Sequence, residues 1–144
     1  MRVVIDTNVF VSSFFGGYPQ KIIDLWKSGD IMLCLSNAII DEYMVVFRRL
    51  GLQNEKELSE LLSLFAHGFH IVFTAKTPAL RVVEKNQDDD KFIECAVALK
   101  ADFIIAGDKA LREIEAYMGI KIVNPKEFCS YFNKRANVEF HTSV

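Results

Sequence analysis

The chain has 144 residues, of which 51% are hydrophobic and 25% charged, with seven Gly and three Pro. That length suits one domain, which can withdraw roughly 70% of its unfolded surface from water without a disulfide or structural metal. The composition excludes disordered, collagen-like and low-complexity classes, and a net charge of −2 excludes a global basic field for a polyanion.

Apolar runs such as Ile104–Ala106 fall far short of the ~20 residues that span a bilayer, so no membrane association is expected. The chain runs from Arg2 straight into Val3-Val4-Ile5-Asp6 without the apolar stretch of a secretory signal, which reads as a cytoplasmic protein. Cys34, Cys95 and Cys129 form no CxxC pair and sit in apolar surroundings, as buried free thiols do.

In chain order, Arg2–Asp6 is a β-branched run that predicts a buried strand. Gly16-Gly17-Tyr18-Pro19 is a turn, and Gln20–Lys27 carries Ile22, Ile23, Leu25 and Trp26 at helical spacing, with Trp26 a core residue. Ile31–Leu35 predicts a second strand. Ser36 caps a helix from Asn37 to about Arg49, ended by Gly51. Asn54 and Glu57 form a capping box for a further helix bearing Leu58, Leu61, Leu62 and Phe65. Ile71–Phe73 is a third strand, and Leu80–Val83 reads as a short extra one.

The second half repeats the alternation. Asp89–Leu99 predicts a largely buried helix, Phe103–Ala106 a strand, Lys109–Tyr117 a helix, Lys121–Val123 a strand, and Pro125–Phe132 a helix with Pro in its first turn. Alternation with short connections predicts an α/β domain over residues 1–132 around a mainly parallel sheet. Residues 133–144 read as a polar C-terminal tail.

Ligands of open parallel sheets gather beyond the carboxyl ends of strands, where strand order reverses. Two predicted strands end there in an acid, Asp6 and Asp108. Asp88-Asp89-Asp90 opens a buried helix, and Glu42 interrupts an apolar one. Singly, each has a structural explanation: a turn-forming Asp, a helix-start Asp favoured by the macrodipole, or a solvated stripe of Asp41 and Glu42. Together, two strand ends and two helices deliver carboxylates to one edge of one sheet, and such a cluster is tolerated when a cation neutralises it. His67, His70 and His141 lie away from these acids, so an all-oxygen donor set points to Mg²⁺ or Mn²⁺ rather than zinc. Hard divalent ions beside phosphate suit phosphodiester hydrolysis.

Val-Val-Ile-Asp6-Thr7-Asn8-Val9-Phe10 resembles the opening of PIN-domain nucleases. Asp88-Asp89-Asp90-Lys91-Phe92-Ile93-Glu94-Cys95-Ala96 and Ala101-Asp102-Phe103-Ile104-Ile105-Ala106-Gly107-Asp108-Lys109-Ala110-Leu111 resemble the second half of that family, most closely the toxin components of toxin–antitoxin pairs. The resemblance spans about Met1 to Phe132. It implies a parallel sheet in order 3-2-1-4-5 flanked by helices, and a Mg²⁺- or Mn²⁺-dependent endoribonuclease. Carried over residue by residue, it assigns metal binding and catalysis to Asp6, Glu42, Asp90 and Asp108, with Asn8 in support. Asp90 is preferred to Asp89 on the family register, a choice that the residues themselves leave open. The family often has Thr or Ser where this chain has Ala106.

Lys109, next to Asp108, is a candidate phosphate contact, as are Arg48, Arg49, Arg81, Lys85 and Lys91 on helix surfaces or a solvated face. Phe14-Phe15 suits base stacking, core or an interface. The resulting expectation is an RNA-cleaving toxin with a protein antitoxin. Apolar residues over Leu58–Phe69 beyond the needs of one core face add the expectation of a homodimer. The alternatives are a nuclease of RNA processing or quality control, or a non-catalytic RNA- or protein-binding module on the same fold. Four mutually repelling acids argue against the module. A doubly wound phosphatase would need Asp-x-Asp after the first strand, and residue 8 is Asn.

Overall fold

Runs of β-branched and apolar residues without polar alternation make strands that are covered on both faces. The computed structural model describes residues 1–52 and 56–142. Its strands are β1 (Arg2–Ile5), β2 (Met32–Ser36), β3 (Ile71–Thr74), β4 (Phe103–Ile105), β5 (Ala116–Tyr117) and β6 (Ile120–Val123). They form one sheet in the order β3-β2-β1-β4-β6-β5, parallel throughout except where β5 pairs antiparallel with β6. The central pair is β1 and β4, and Val3, Val4, Ile5 and all of β4 are buried. The α/β class is as expected, and the predicted order corresponds to β3-β2-β1-β4-β6.

The added edge strand replaces part of an expected helix. Helix α6 stops at Arg112 instead of Tyr117 because Glu115 enters the left-handed region at φ +66°. Met118 and Gly119 follow at φ +49° and +81°. Two successive residues of positive φ make the tight hairpin turn that folds β5 onto β6.

The remaining helices are α1 (Thr7–Ser12), α2 (Gly17–Lys27), α3 (Asn37–Arg49), α4 (Lys56–Ala66), α5 (Asp90–Ala98), α6 itself (Lys109–Arg112) and α7 (Pro125–Thr142). Ser36 caps α3 as expected, its hydroxyl accepting from Ile39 N–H at 3.3 Å. The capping box at Asn54 and Glu57 lies outside the described residues and side chains. Helix α7 runs past Phe132 to Thr142, with residues 133–137 exposed. Among the described residues no helix is long and apolar enough to cross a membrane.

Residues 80–83 form no strand. Their backbone donors bond to carboxylates of α5 instead: Leu80 N–H to Glu94 at 2.8 Å, and Val82 and Val83 N–H to one oxygen of Asp90 at 3.0 and 2.8 Å. Asp90 and Glu94, one turn apart on α5, thus hold an apolar extended segment that pattern alone reads as β.

On the other side of β1 lies an aromatic cluster. Phe10, Tyr43 and Phe65 meet Trp26 and Phe47, with Phe10 and Tyr43 ring centroids 4.8 Å apart. Trp26 is fully buried and its indole N–H donates to the Phe69 carbonyl at 3.0 Å. Phe14 packs on Phe47, whereas Phe15 is 80% exposed. On α4, Leu58 and Leu61 are buried, and Leu62, Leu64 and Phe65 pack against the same core. The three cysteines are free and buried, with the Cys34 and Cys95 thiols pushed up to about 12 by burial.

Tyr43 is fully buried, and its hydroxyl donates to the Ile5 carbonyl at the end of β1. Tyr43→Phe leaves that carbonyl unpaired in a dry core, which costs about 1–3 kcal/mol. Urea unfolding monitored by circular dichroism should show a lower midpoint at unchanged slope. An unchanged midpoint would mean that the bond contributes nothing.

Candidate active site

Beyond the carboxyl end of β1, three consecutive residues tie three parts of the chain together. The Ile5 carbonyl accepts from Tyr43 on α3. Asp6 caps α1 by accepting Val9 N–H at 2.8 Å through Oδ1, while Oδ2 accepts Gly107 N–H at 2.8 Å and Asp108 N–H at 3.2 Å. Thr7 donates its hydroxyl to Glu42, the neighbour of Tyr43. Asp6 itself is 2% exposed. A carboxylate this buried is retained because three backbone donors point at it.

Asp108 caps α6, accepting Leu111 N–H at 3.2 Å, so the chain leaving β4 turns back beside Asp6. Asp89 ends a 3₁₀ turn, Gln87–Asp89, that leads into α5. Its carboxyl accepts from the Asn86 amide at 3.3 Å and lies near enough to Asp108 to be raised by it. Asp6, Thr7, Asn8, Glu42, Asp89 and Asp108 line one hollow of about 180 Å³, together with Arg49, Asn86, Asp88 and the apolar Val46 and Phe92. It opens beside the ends of β1 and β4, between which the strand order reverses.

Burial is the main cause that raises Asp6, to about 6 from 3.8, against the lowering effect of its three N–H partners and with a further rise from Asp108. Burial raises Asp89 too, followed by the adjacent Asp108 and then Asp6 and Glu42. Carboxylates this close repel one another, a repulsion that a counter-charge would relieve.

Two candidates from the sequence lie elsewhere. Asp90 is buried, but its carboxylate faces away to hold residues 82 and 83, and it does not line the hollow. Asp89, the residue before it, lines the hollow in its place. Lys109 is also outside: its side chain is 84% exposed, with Nζ 3.9 Å from Glu113. Lys85 pairs with the same Glu113 at 2.7 Å. Thr7 and Asn86 are residues of this hollow that the sequence did not single out, whereas Arg49, a candidate phosphate contact, lines it. Thr7 sits inside the Asp-Thr-Asn motif, and Asn86 caps the 3₁₀ turn by accepting Asp88 N–H at 3.2 Å. Ala106 is fully buried in the sheet.

The donor set suits a hard cation, being oxygen throughout, strained by mutual repulsion and lacking His or Cys. Among the described residues no three His, Cys, Asp or Glu side chains stand close enough together to hold a metal ion by themselves. Mg²⁺ binds through as few as one or two carboxylates, with waters and phosphate completing its shell.

Comparison with known proteins decides the family. Residues 2–110 match the family model described as PIN domain, a span that includes Asp6, Glu42, Asp89 and Asp108. The chain belongs to the PIN domain family. A protein of Methanocaldococcus jannaschii, itself described as uncharacterized, is 35% identical over 150 residues that cover 93% of each chain. PIN domains are nucleases that generally cleave RNA and generally use divalent metal ions.

The raised acids set a pH dependence. Asp6 in the unfolded chain titrates near 3.8 and in the fold near 6, so the fold binds more protons between these values. Its contribution is fully present below about pH 4 and is lost as pH rises through 6, by about 3 kcal/mol in total. Asp89 shifts in the same direction. In chelator, the unfolding midpoint should therefore fall between about pH 4 and 7 and level off above. A midpoint that rises over that range would show that these carboxyls are not held in repulsion.

Proposed function

We propose that this PIN domain is a divalent-metal-dependent endoribonuclease, with Asp6, Asp89 and Asp108 holding the ion. The observation that carries the reading is that three Asp residues, from the ends of β1 and β4 and the turn before α5, line one hollow. A bound Mg²⁺ or Mn²⁺ supplies charge stabilisation at a phosphoryl oxygen and lowers the pKa of a water.

The chain's own residues do the rest. Asp6 is held in one position by three backbone N–H groups, so its free lone pair presents a fixed ligand direction. Asp89 and Asp108 each accept a single N–H within the chain, so both would have oxygens left to hold the ion. Arg49, exposed at the rim where α3 ends, suits a two-pronged contact with a phosphate next to the one cleaved. Phe92 and Val46 give the hollow an apolar wall that limits competing water. Asn8 lines the mouth as a neutral donor and acceptor that adds no further negative charge.

The likeness of residues 88–96 and 101–111 to the toxin branch supports a toxin held by a protein antitoxin, acting on cytoplasmic RNA. The homodimer is proposed on the same likeness. Exposed apolar side chains that pairing could cover include Phe15, Met118, Val45 and Leu50, whereas Leu58 and Leu61 of α4 are buried in its own core.

Incubation of an end-labelled single-stranded RNA with Mg²⁺ or Mn²⁺, and separately with chelator, tests the reading. Internal cuts should appear only with metal and should be lost by orders of magnitude in Asp108→Asn. Asn is itself a good helix cap, so that variant should keep its unfolding midpoint. Cutting that persists in chelator, or in a folded Asp108→Asn variant, would contradict it.

A further inference from the structure

We propose that the Lys91 ammonium is a built-in cation for the Glu42 side of the pocket, so that the site takes one divalent ion rather than two. The inference rests on the reading above that Asp6, Asp89 and Asp108 bind metal. Lys91 Nζ lies 2.8 Å from Glu42 Oε1, and both side chains are largely covered, at 18% and 22% exposure. The other Glu42 oxygen accepts the Thr7 hydroxyl. Both oxygens of Glu42 are thus engaged within the chain, whereas Asp89 and Asp108 each accept one N–H, from the Asn86 amide and from Leu111.

The placement of Lys91 is not one that helix formation favours. It stands in the first turn of α5, where a cation opposes the helix dipole by roughly 0.3–1 kcal/mol. Its Nζ is also 3.9 Å from Asp88, one turn back on the same side. Lys91 lines the hollow next to the acidic one, which shares Glu42, Asp88 and Arg49 with it, and reaches Glu42 from that side to offset charge that would otherwise call for a second ion. It also ties α5 to α3, since Glu42 belongs to α3 and Lys91 to α5.

Three charge states separate a counter-ion from a spectator. Lys91→Gln leaves Glu42 without its cation and adds a net negative charge to the hollow. Glu42→Gln with Lys91→Gln removes the pair together and leaves the net charge unchanged. Mn²⁺ titration of the RNA-free chain by calorimetry, with thermal unfolding to confirm that each variant is folded, gives stoichiometry and affinity.

The wild type should bind one Mn²⁺ per chain. The double variant should bind one with affinity within about threefold of wild type, as expected for removal of a mutually satisfied pair. Lys91→Gln should take up a second equivalent, and Lys91→Arg, which keeps the charge, should not. Asp108→Asn should weaken binding by about tenfold or more, as loss of a direct ligand does.

Two equivalents in the wild type, or a double variant weakened as much as Asp108→Asn, would overturn the inference while leaving the metal site standing. A Lys91→Gln chain that still binds one ion with unchanged affinity would overturn it as well. A wild type that binds no Mn²⁺ would overturn both the metal site and this inference.

Discussion

The Asp6 carboxylate, accepting N–H groups from Val9, Gly107 and Asp108, is the constraint on which the site depends. It caps α1 on one side and draws the loop after β4 against the end of β1 on the other. Its neighbours extend the same tie, Ile5 through its carbonyl to Tyr43 and Thr7 through its hydroxyl to Glu42. Three residues in sequence thereby fix the loop after β4 and helix α3 relative to the central strand. Without them the acids would be near one another only on average.

Assembling those acids has an electrostatic cost that the aromatic and apolar core must offset. Asp6 titrates near 6 because burial outweighs its three hydrogen bonds, and Asp89 is raised by burial and by Asp108. The fold meets part of the cost internally, through Lys91 on Glu42 and the Asn86 amide on Asp89. What remains uncompensated is concentrated on Asp6, Asp89 and Asp108. A chain with a net charge of −2 has little global attraction for an RNA phosphate, so the proposed function relies on a cation at those three acids and on Arg49 at the rim.

Much of this was legible in the chain because apolar runs and helix caps are local. The strand runs of β1, β2, β4 and β6 and the Ser36 cap of α3 need no tertiary information. Placement of Asp6, Glu42 and Asp108 followed from strand ends and a helix interruption. What pattern reading missed was decided by partners distant in sequence. Residues 80–83 carry the pattern of a strand, but they spend their donors on Asp90 and Glu94. The same bonds remove Asp90 from the hollow, so adjacent aspartates have opposite fates depending on which way a 3₁₀ turn hands off to α5. Helix α6 is cut short by a positive φ at Glu115, a conformation that no residue preference there foretells.

That division of labour between Asp89 and Asp90 is where the account is most exposed. The decisive measurement is RNA cleavage in Mn²⁺ by Asp89→Asn and Asp90→Asn, each read against its own urea unfolding curve. Asp89→Asn should lose cleavage by orders of magnitude while its unfolding midpoint holds or rises, since a repelling charge is removed. Asp90→Asn should lower the midpoint by weakening two charge-assisted backbone bonds, yet cleave at close to the wild-type rate per folded molecule. The reverse outcome, a cleaving Asp89→Asn beside a folded but inactive Asp90→Asn, would contradict the site described.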